Sequence, residues 1–155
     1  MQNQIVFFFR IKNRNFFISN FQYTNITNLS AAATHYRMMK NTGAASKYRY
    51  ALAKMSFTGE PVDSETLAFA ESAFGTRLCS MYGTTEVGVI LADYPGAPDF
   101  PSKPGSLGKP VPGVEVAVLR PDGAPTEPDE MGEIKVRRRD GWFATKDRGR
   151  IDADG

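Results

Sequence analysis

From Leu29 onward the apolar and polar positions switch between helical and strand-like spacing. Leu29 to Lys40 reads as a helix: Asn28 or Ser30 is available as a cap, Ala31-Ala32-Ala33 favours it, and Gly43 follows as a stop. Ala53 to Thr58 is a short apolar stretch ending at Gly59-Glu60-Pro61. Asp63 or Ser64 then caps a second helix through Phe74, with Leu67, Phe69, Ala70 and Phe74 as its apolar side and Gly75 as its stop. Arg77 to Met81 reads as a buried strand, and Tyr82-Gly83-Thr84-Thr85-Glu86 as a polar loop after it. That order predicts an α/β sheet over residues 29–112.

The pattern then changes. Residues 93–113 are rich in Pro and Gly, and Val114 to Leu119 alternates as a strand. Pro121-Asp122-Gly123 is a turn, Gly132 to Val136 a second alternating strand, and Trp142 to Thr145 a third. Residues 113–155 are therefore expected to form a small, β-barrel-like subdomain.

Composition adds a break near residue 28. Phe, Asn and Ile supply 16 of the first 28 residues, and Arg10, Lys12 and Arg14 are unaccompanied by any acid. Beyond that point Ala, Gly, Pro, Arg and Asp dominate. Residues 1–28 are accordingly expected to be an atypical leader outside the fold, with 1–22 dispensable; an organelle-targeting peptide is the other reading of an acid-poor leader. The net charge of +2 resides in this leader, so the body of the chain gives no sign of a nucleic-acid surface. No apolar run approaches the ~18 residues of a membrane span. Cys79 and His35, each the single residue of its type, exclude an internal disulfide and the familiar zinc spacings.

Three segments carry candidate chemistry. A loop at the carboxyl end of a strand is where open α/β sheets bind ligands, and the hydroxyls and carboxylate of Thr84, Thr85 and Glu86 suit a phosphate and its metal ion. By itself such a string is more often a turn and a cap. Asp147 has the chemistry to accept two hydrogen bonds from a ribose diol, although an Asp between Lys146 and Arg148 is more commonly a surface carboxylate. Gly59-Glu60-Pro61 is a tight turn whose backbone can abut a flat ring.

Taken in order, these segments resemble the adenylate-forming superfamily, and within it the acetyl- and medium-chain branch of the AMP-forming acyl-CoA synthetases. Tyr82-Gly83-Thr84-Thr85-Glu86 is similar to its aromatic-Gly-x-Thr-Glu motif. Gly105 to Pro110 with Pro112-Gly113 resembles its linker, Met131-Gly132-Glu133-Ile134 its Gly-Glu strand, and Thr145-Lys146-Asp147 with Asp152 to Gly155 its Thr-Gly-Asp motif and trailing turn. The resemblance covers roughly residues 27–155. It implies that Gly59, Glu60 and Pro61 border an adenine, that Tyr82 and Gly83 lie beside it, and that Thr84 and Thr85 reach the α-phosphate. It further implies that Glu86 holds Mg2+, making Thr85 and Glu86 the catalytic pair, and that Asp147 binds the ribose. Val87, Gly88, Val89 and the segment Thr34-His35-Tyr36 would approach the acyl group.

The implied reaction joins a small carboxylic acid to ATP and then to CoA, in the cytoplasm or, alternatively, the mitochondrial matrix, with no nucleic acid and no membrane span. Two departures qualify it. Lys146 replaces the usual Gly, and the phosphate loop and the domain bearing the catalytic lysine are not in the sequence. The chain thus reads as an internal fragment, inactive alone, of a ligase; a non-catalytic nucleotide-binding or interaction module is the alternative.

Overall fold

In the computed structural model, residues 26–94 and 103–155 and the backbone of 5–8 are described. β1 (Ile5–Phe8), β2 (Asn28–Ala32), β3 (Lys54–Thr58) and β4 (Leu78–Thr84) pair as parallel neighbours. Parallel strands need crossovers. α1 (Ala33–Thr42) provides the one between β2 and β3, and α2 (Ser64–Phe74) the one between β3 and β4. The antiparallel strands β5 (Gly88–Ala92) and β6 (Lys109–Pro110) complete a six-stranded sheet in chain order.

α2 forms as expected. The Asp63 carboxylate accepts hydrogen bonds from the Thr66 N–H at 2.8 Å and the Thr66 hydroxyl at 2.9 Å, and Gly75 closes the helix in a left-handed conformation. Thr66, Ala70 and Phe74 are its buried residues, while Leu67 and Phe69 are half-buried against the same core.

The first helix differs from expectation. Residues 28–32 are a strand, so α1 starts four residues later, at Ala33, with no side-chain cap. Leu29 and Ala31 are buried inside the sheet, Leu29 lying opposite Met55, and burial between two strands overrides the helical preference of alanine. Ser30 instead accepts a hydrogen bond from the Ser56 hydroxyl at 3.0 Å. Tyr36 and Met39 of α1 join Leu29, Met55, Ala70, Phe74 and Leu78 in one apolar cluster.

Two further expectations are corrected. Ile5–Phe8 falls inside the segment expected to stand outside the fold, yet its backbone pairs with β2, which itself begins at Asn28; a parallel edge offers unpaired N–H and C=O groups that a further strand satisfies. The remainder of residues 1–25 lies outside the described residues. Tyr82-Gly83-Thr84 is strand, not loop: β4 runs on to Thr84 because β5 pairs with it, and only residues 85–87 turn.

The second sheet consists of β7 (Val116–Leu119), β8 (Gly132–Arg138) and β9 (Gly141–Gly149), antiparallel and open. It is not a barrel; filled barrels use about eight strands. Its inner face is covered by the first sheet instead. The register of β4 and β5 shifts at Tyr82/Gly83, leaving Ile90 as the extra residue of β5. Ile90, 1% exposed, packs with Val118, Ile134 and Val136.

Two carboxylates tie turns to this framework. Hydrogen bonds from Thr66 hold Asp63 down from 3.8 to about 2, and the Arg120 guanidinium holds Glu130 down from 4.5 to about 2. Both groups ionise more readily folded than unfolded, so their contribution is fully present above about pH 4.5 and disappears as pH falls toward 2. Urea midpoints should therefore drop steadily between pH 5 and pH 2, by less in Glu130→Gln; a flat profile contradicts the assignment.

Candidate functional site

The turn after β3 is shaped by its neighbours. Gly59 has φ +92°, a conformation that suits glycine, with open space around it. The Glu60 carboxylate is drawn to Arg37 of α1, whose Nη1 lies 2.9 Å from its Oε2. The same guanidinium donates to the Pro61 carbonyl at 2.6 Å and to Asp63 Oδ2 at 3.4 Å.

At the end of β4, Tyr82 and Thr84 occupy alternate positions and so share one face of the strand. The Thr84 hydroxyl donates to Glu86 Oε2 at 2.6 Å, and this bond is the main reason the Glu86 carboxyl ionises below its ordinary range, with Lys146 nearby adding to it. Arg138 of β8 donates to the Glu86 carbonyl at 3.1 Å, fastening the turn to the second sheet. Thr85 is exposed at its tip.

Asp147 reaches the same region from β9. Its Oδ2 accepts a hydrogen bond from the Tyr82 hydroxyl at 2.6 Å, across 65 residues of sequence. Burial first, and this bond second, push the Tyr82 hydroxyl up to about 12. Thr145 steadies the strand here, accepting from the Asp147 N–H at 3.2 Å and donating to the Ile134 carbonyl at 2.8 Å. Lys146, where the family resemblance leads one to expect Gly, has φ +69°.

An open cleft of about 640 Å³ brings together Gly59, Glu60, Pro61, Tyr82, Gly83 and Asp147. Thr84, Thr85 and Glu86 do not line it; they stand beyond it on the β4–β5 turn. The cleft also takes in residues that the sequence did not single out. Ser80 lines it while being 5% exposed, and among the described residues its hydroxyl has no partner. Strand alternation was the available signal, since Ser80 lies two residues before Tyr82. Arg37 gave no such signal, because its role depends on a helix meeting a distant turn.

The acyl-facing expectation for Tyr36 is corrected: Tyr36 is fully buried and its hydroxyl donates to the Ser56 carbonyl at 2.8 Å, so it is a core residue. Among the described residues no helix is long and apolar enough to cross a membrane, and no three His, Cys, Asp or Glu side chains are grouped as metal ligands.

Comparison with known proteins gives this geometry a context. Over 147 residues the chain is 31% identical to the uncharacterized acyl-CoA ligase YtcI of Bacillus subtilis, covering 79% of this chain and 26% of that protein. It is 31% identical over 116 residues to the acetyl-coenzyme A synthetase of the same organism, covering 72% and 19%. The chain thus spans about a quarter or less of the length of these relatives. Among solved structures, a Brucella canis acyl-CoA synthetase matches with a TM-score of 0.84 at 22% identity, over 92% of this chain and 30% of that one. An anthranilate CoA ligase, AuaEII, in complex with anthranoyl-AMP matches at 0.80 and 22%, over 92% and 31%. These two share the fold. The model of the family described as AMP-binding enzyme matches residues 4–142, starting inside the segment expected to be a leader. With that span matched, the chain belongs to the AMP-binding enzyme family.

Proposed function

We propose that this chain forms the adenine and ribose side of an AMP-forming acid–thiol ligase. In that reaction a carboxylate oxygen attacks the α-phosphorus of ATP, pyrophosphate leaves, and the thiolate of CoA then displaces AMP from the acyl-adenylate. The observation that carries the reading is the cleft in which Gly59, Glu60 and Pro61 face Tyr82, Gly83 and Asp147 from three separate segments.

Each residue has a physical task. The backbone of Gly59 to Pro61 borders the adenine, with Tyr82 beside it. The Asp147 carboxylate accepts from the ribose hydroxyls, exchanging its bond with Tyr82 for bonds to the ligand. The hydroxyls of Thr84 and Thr85 donate to the α-phosphate. Glu86 suits Mg2+, since its carboxylate is exposed and ionised and this ion characteristically takes one or two protein carboxylates plus phosphate oxygens and water. Mg2+ would offset charge on the phosphates. Before the ligand arrives, the Thr84 hydroxyl keeps the Glu86 carboxylate anionic and aimed, a bond that its single proton gives up to reach the α-phosphate. We place the protein in the cytoplasm; its 28% identity to the mitochondrial acyl-coenzyme A synthetase ACSM3 of Mus musculus favours the mitochondrial matrix as the second possibility.

Calorimetric titration of AMP into the chain tests this. Saturable one-to-one binding is expected, weakened about tenfold or more in Asp147→Ala, since a hydrogen bond to a charged group contributes about 1.5–3 kcal/mol. Affinity indifferent to Asp147, or no saturable binding, defeats the reading.

A further inference from the structure

The turn that faces the cleft has no regular structure to hold it. Gly59 turns the chain out of the strand conformation, Pro61 has no N–H, and residues 59–61 are exposed. Its position must come from outside the turn.

The guanidinium of Arg37 is what reaches it. Arg37 follows Tyr36, which is fully buried and fastened to β3 through the Ser56 carbonyl, so the base of the arginine is rigid relative to the strand from which the turn departs. Three of its nitrogens contact three acceptors: Glu60 Oε2 at 2.9 Å, the Pro61 carbonyl at 2.6 Å and Asp63 Oδ2 at 3.4 Å. A planar fork can hold a side chain and a backbone carbonyl together in fixed geometry, which the single ammonium of lysine cannot. The bond to Pro61 is to the main chain, so it sets the backbone path itself. The bond to Glu60 pulls that carboxylate toward α1.

We infer that Arg37 is a positioning residue, fixing the Gly59-Glu60-Pro61 backbone in the orientation that receives the nucleotide base. This rests on the nucleotide reading of the cleft. Asp63 serves as an internal control: it also has Lys40, with Nζ 3.7 Å from Oδ1, and its own bonds to Thr66, so the start of α2 does not depend on Arg37.

The test uses the full 155-residue chain and its Arg37→Lys and Arg37→Ala variants, with 15N relaxation and AMP titration. In Arg37→Ala, order parameters of Gly59, Glu60 and Val62 should fall from about 0.85 toward 0.6 or below, with those of Thr66 and Leu67 unchanged. Arg37→Lys should recover at most part of this loss. A turn that is competent a tenth of the time weakens apparent AMP affinity about tenfold, so Arg37→Ala should show a loss of that size, with Lys intermediate. Order parameters that stay rigid in Arg37→Ala overturn the clamp. AMP binding that is indifferent to Arg37 while the turn loosens overturns the positioning role alone. A failure of the unsubstituted chain to bind AMP defeats the nucleotide reading as well, and leaves the relaxation result as a fact about the turn only.

Discussion

Gly83→Ala should destabilise the protein by more than about 4 kcal/mol or prevent folding, placing it among the rare large single-residue effects. Alanine ordinarily improves on glycine inside a strand by roughly 0.5–1 kcal/mol, so the expected sign is reversed. The reason is the close approach of β4 and β5. A Cβ on Gly83 would lie 1.8 Å from the Gly88 carbonyl oxygen, 2.6 Å from its carbon and 2.8 Å from the Val89 Cα. All three are main-chain atoms, so no rotamer change relieves the overlap. Sliding the strands apart by one residue would, but a one-residue slip turns every side chain to the opposite face, and Tyr82 would leave Asp147. Urea denaturation of the variant measures the effect. A midpoint equal to that of the unsubstituted chain contradicts the strand pairing described for residues 83–89.

Ile90→Ala should cost about 2–5 kcal/mol, the range for removing a fully buried aliphatic side chain and leaving a cavity. Ile90 projects from the first sheet into Val118, Ile134 and Val136 of the second, so the same change also loosens the seam that carries Asp147 to Tyr82. The Tyr82 hydroxyl, held near 12 by burial and by Asp147, should then titrate closer to 10. NMR of the tyrosine ring reports this separately from global unfolding. A destabilised variant in which Tyr82 titrates as before would show that Ile90 packs the core without aligning the site.

The parts legible in the sequence were those set by local chemistry. Asp63 as a cap, Gly43 and Gly75 as stops, and the alternation of Gly132 to Val136 all act through neighbours a few residues away. Residues 29–32 read as helix because three consecutive alanines favour it locally, whereas only the strands on either side make that segment extended. The Tyr82-Gly83-Thr84 segment reads as a loop because it opens a polar string that contains a glycine; its strand character comes from pairing with β5. For the site, the motifs located Gly59 to Pro61, Tyr82 and Asp147 individually. Their convergence on one cleft, the separation of Thr84 to Glu86 from it, and the part played by Arg37 all depend on contacts between segments distant in the chain.

Lys146 has a consequence for how the β4–β5 turn beyond the cleft responds to its solvent. A left-handed conformation costs a lysine roughly 1–2 kcal/mol whatever the salt, because it is a matter of steric overlap at Cβ. What the residue adds in exchange is a positive charge that favours ionised Glu86, and both groups are exposed. That attraction fades with a screening length of about 10 Å at 0.1 M salt and about 3 Å at 1 M. Dilute solution therefore sets a small attraction against the strain, and brine leaves only the strain, so ionic strength acts at this position as a dial that a glycine would not possess.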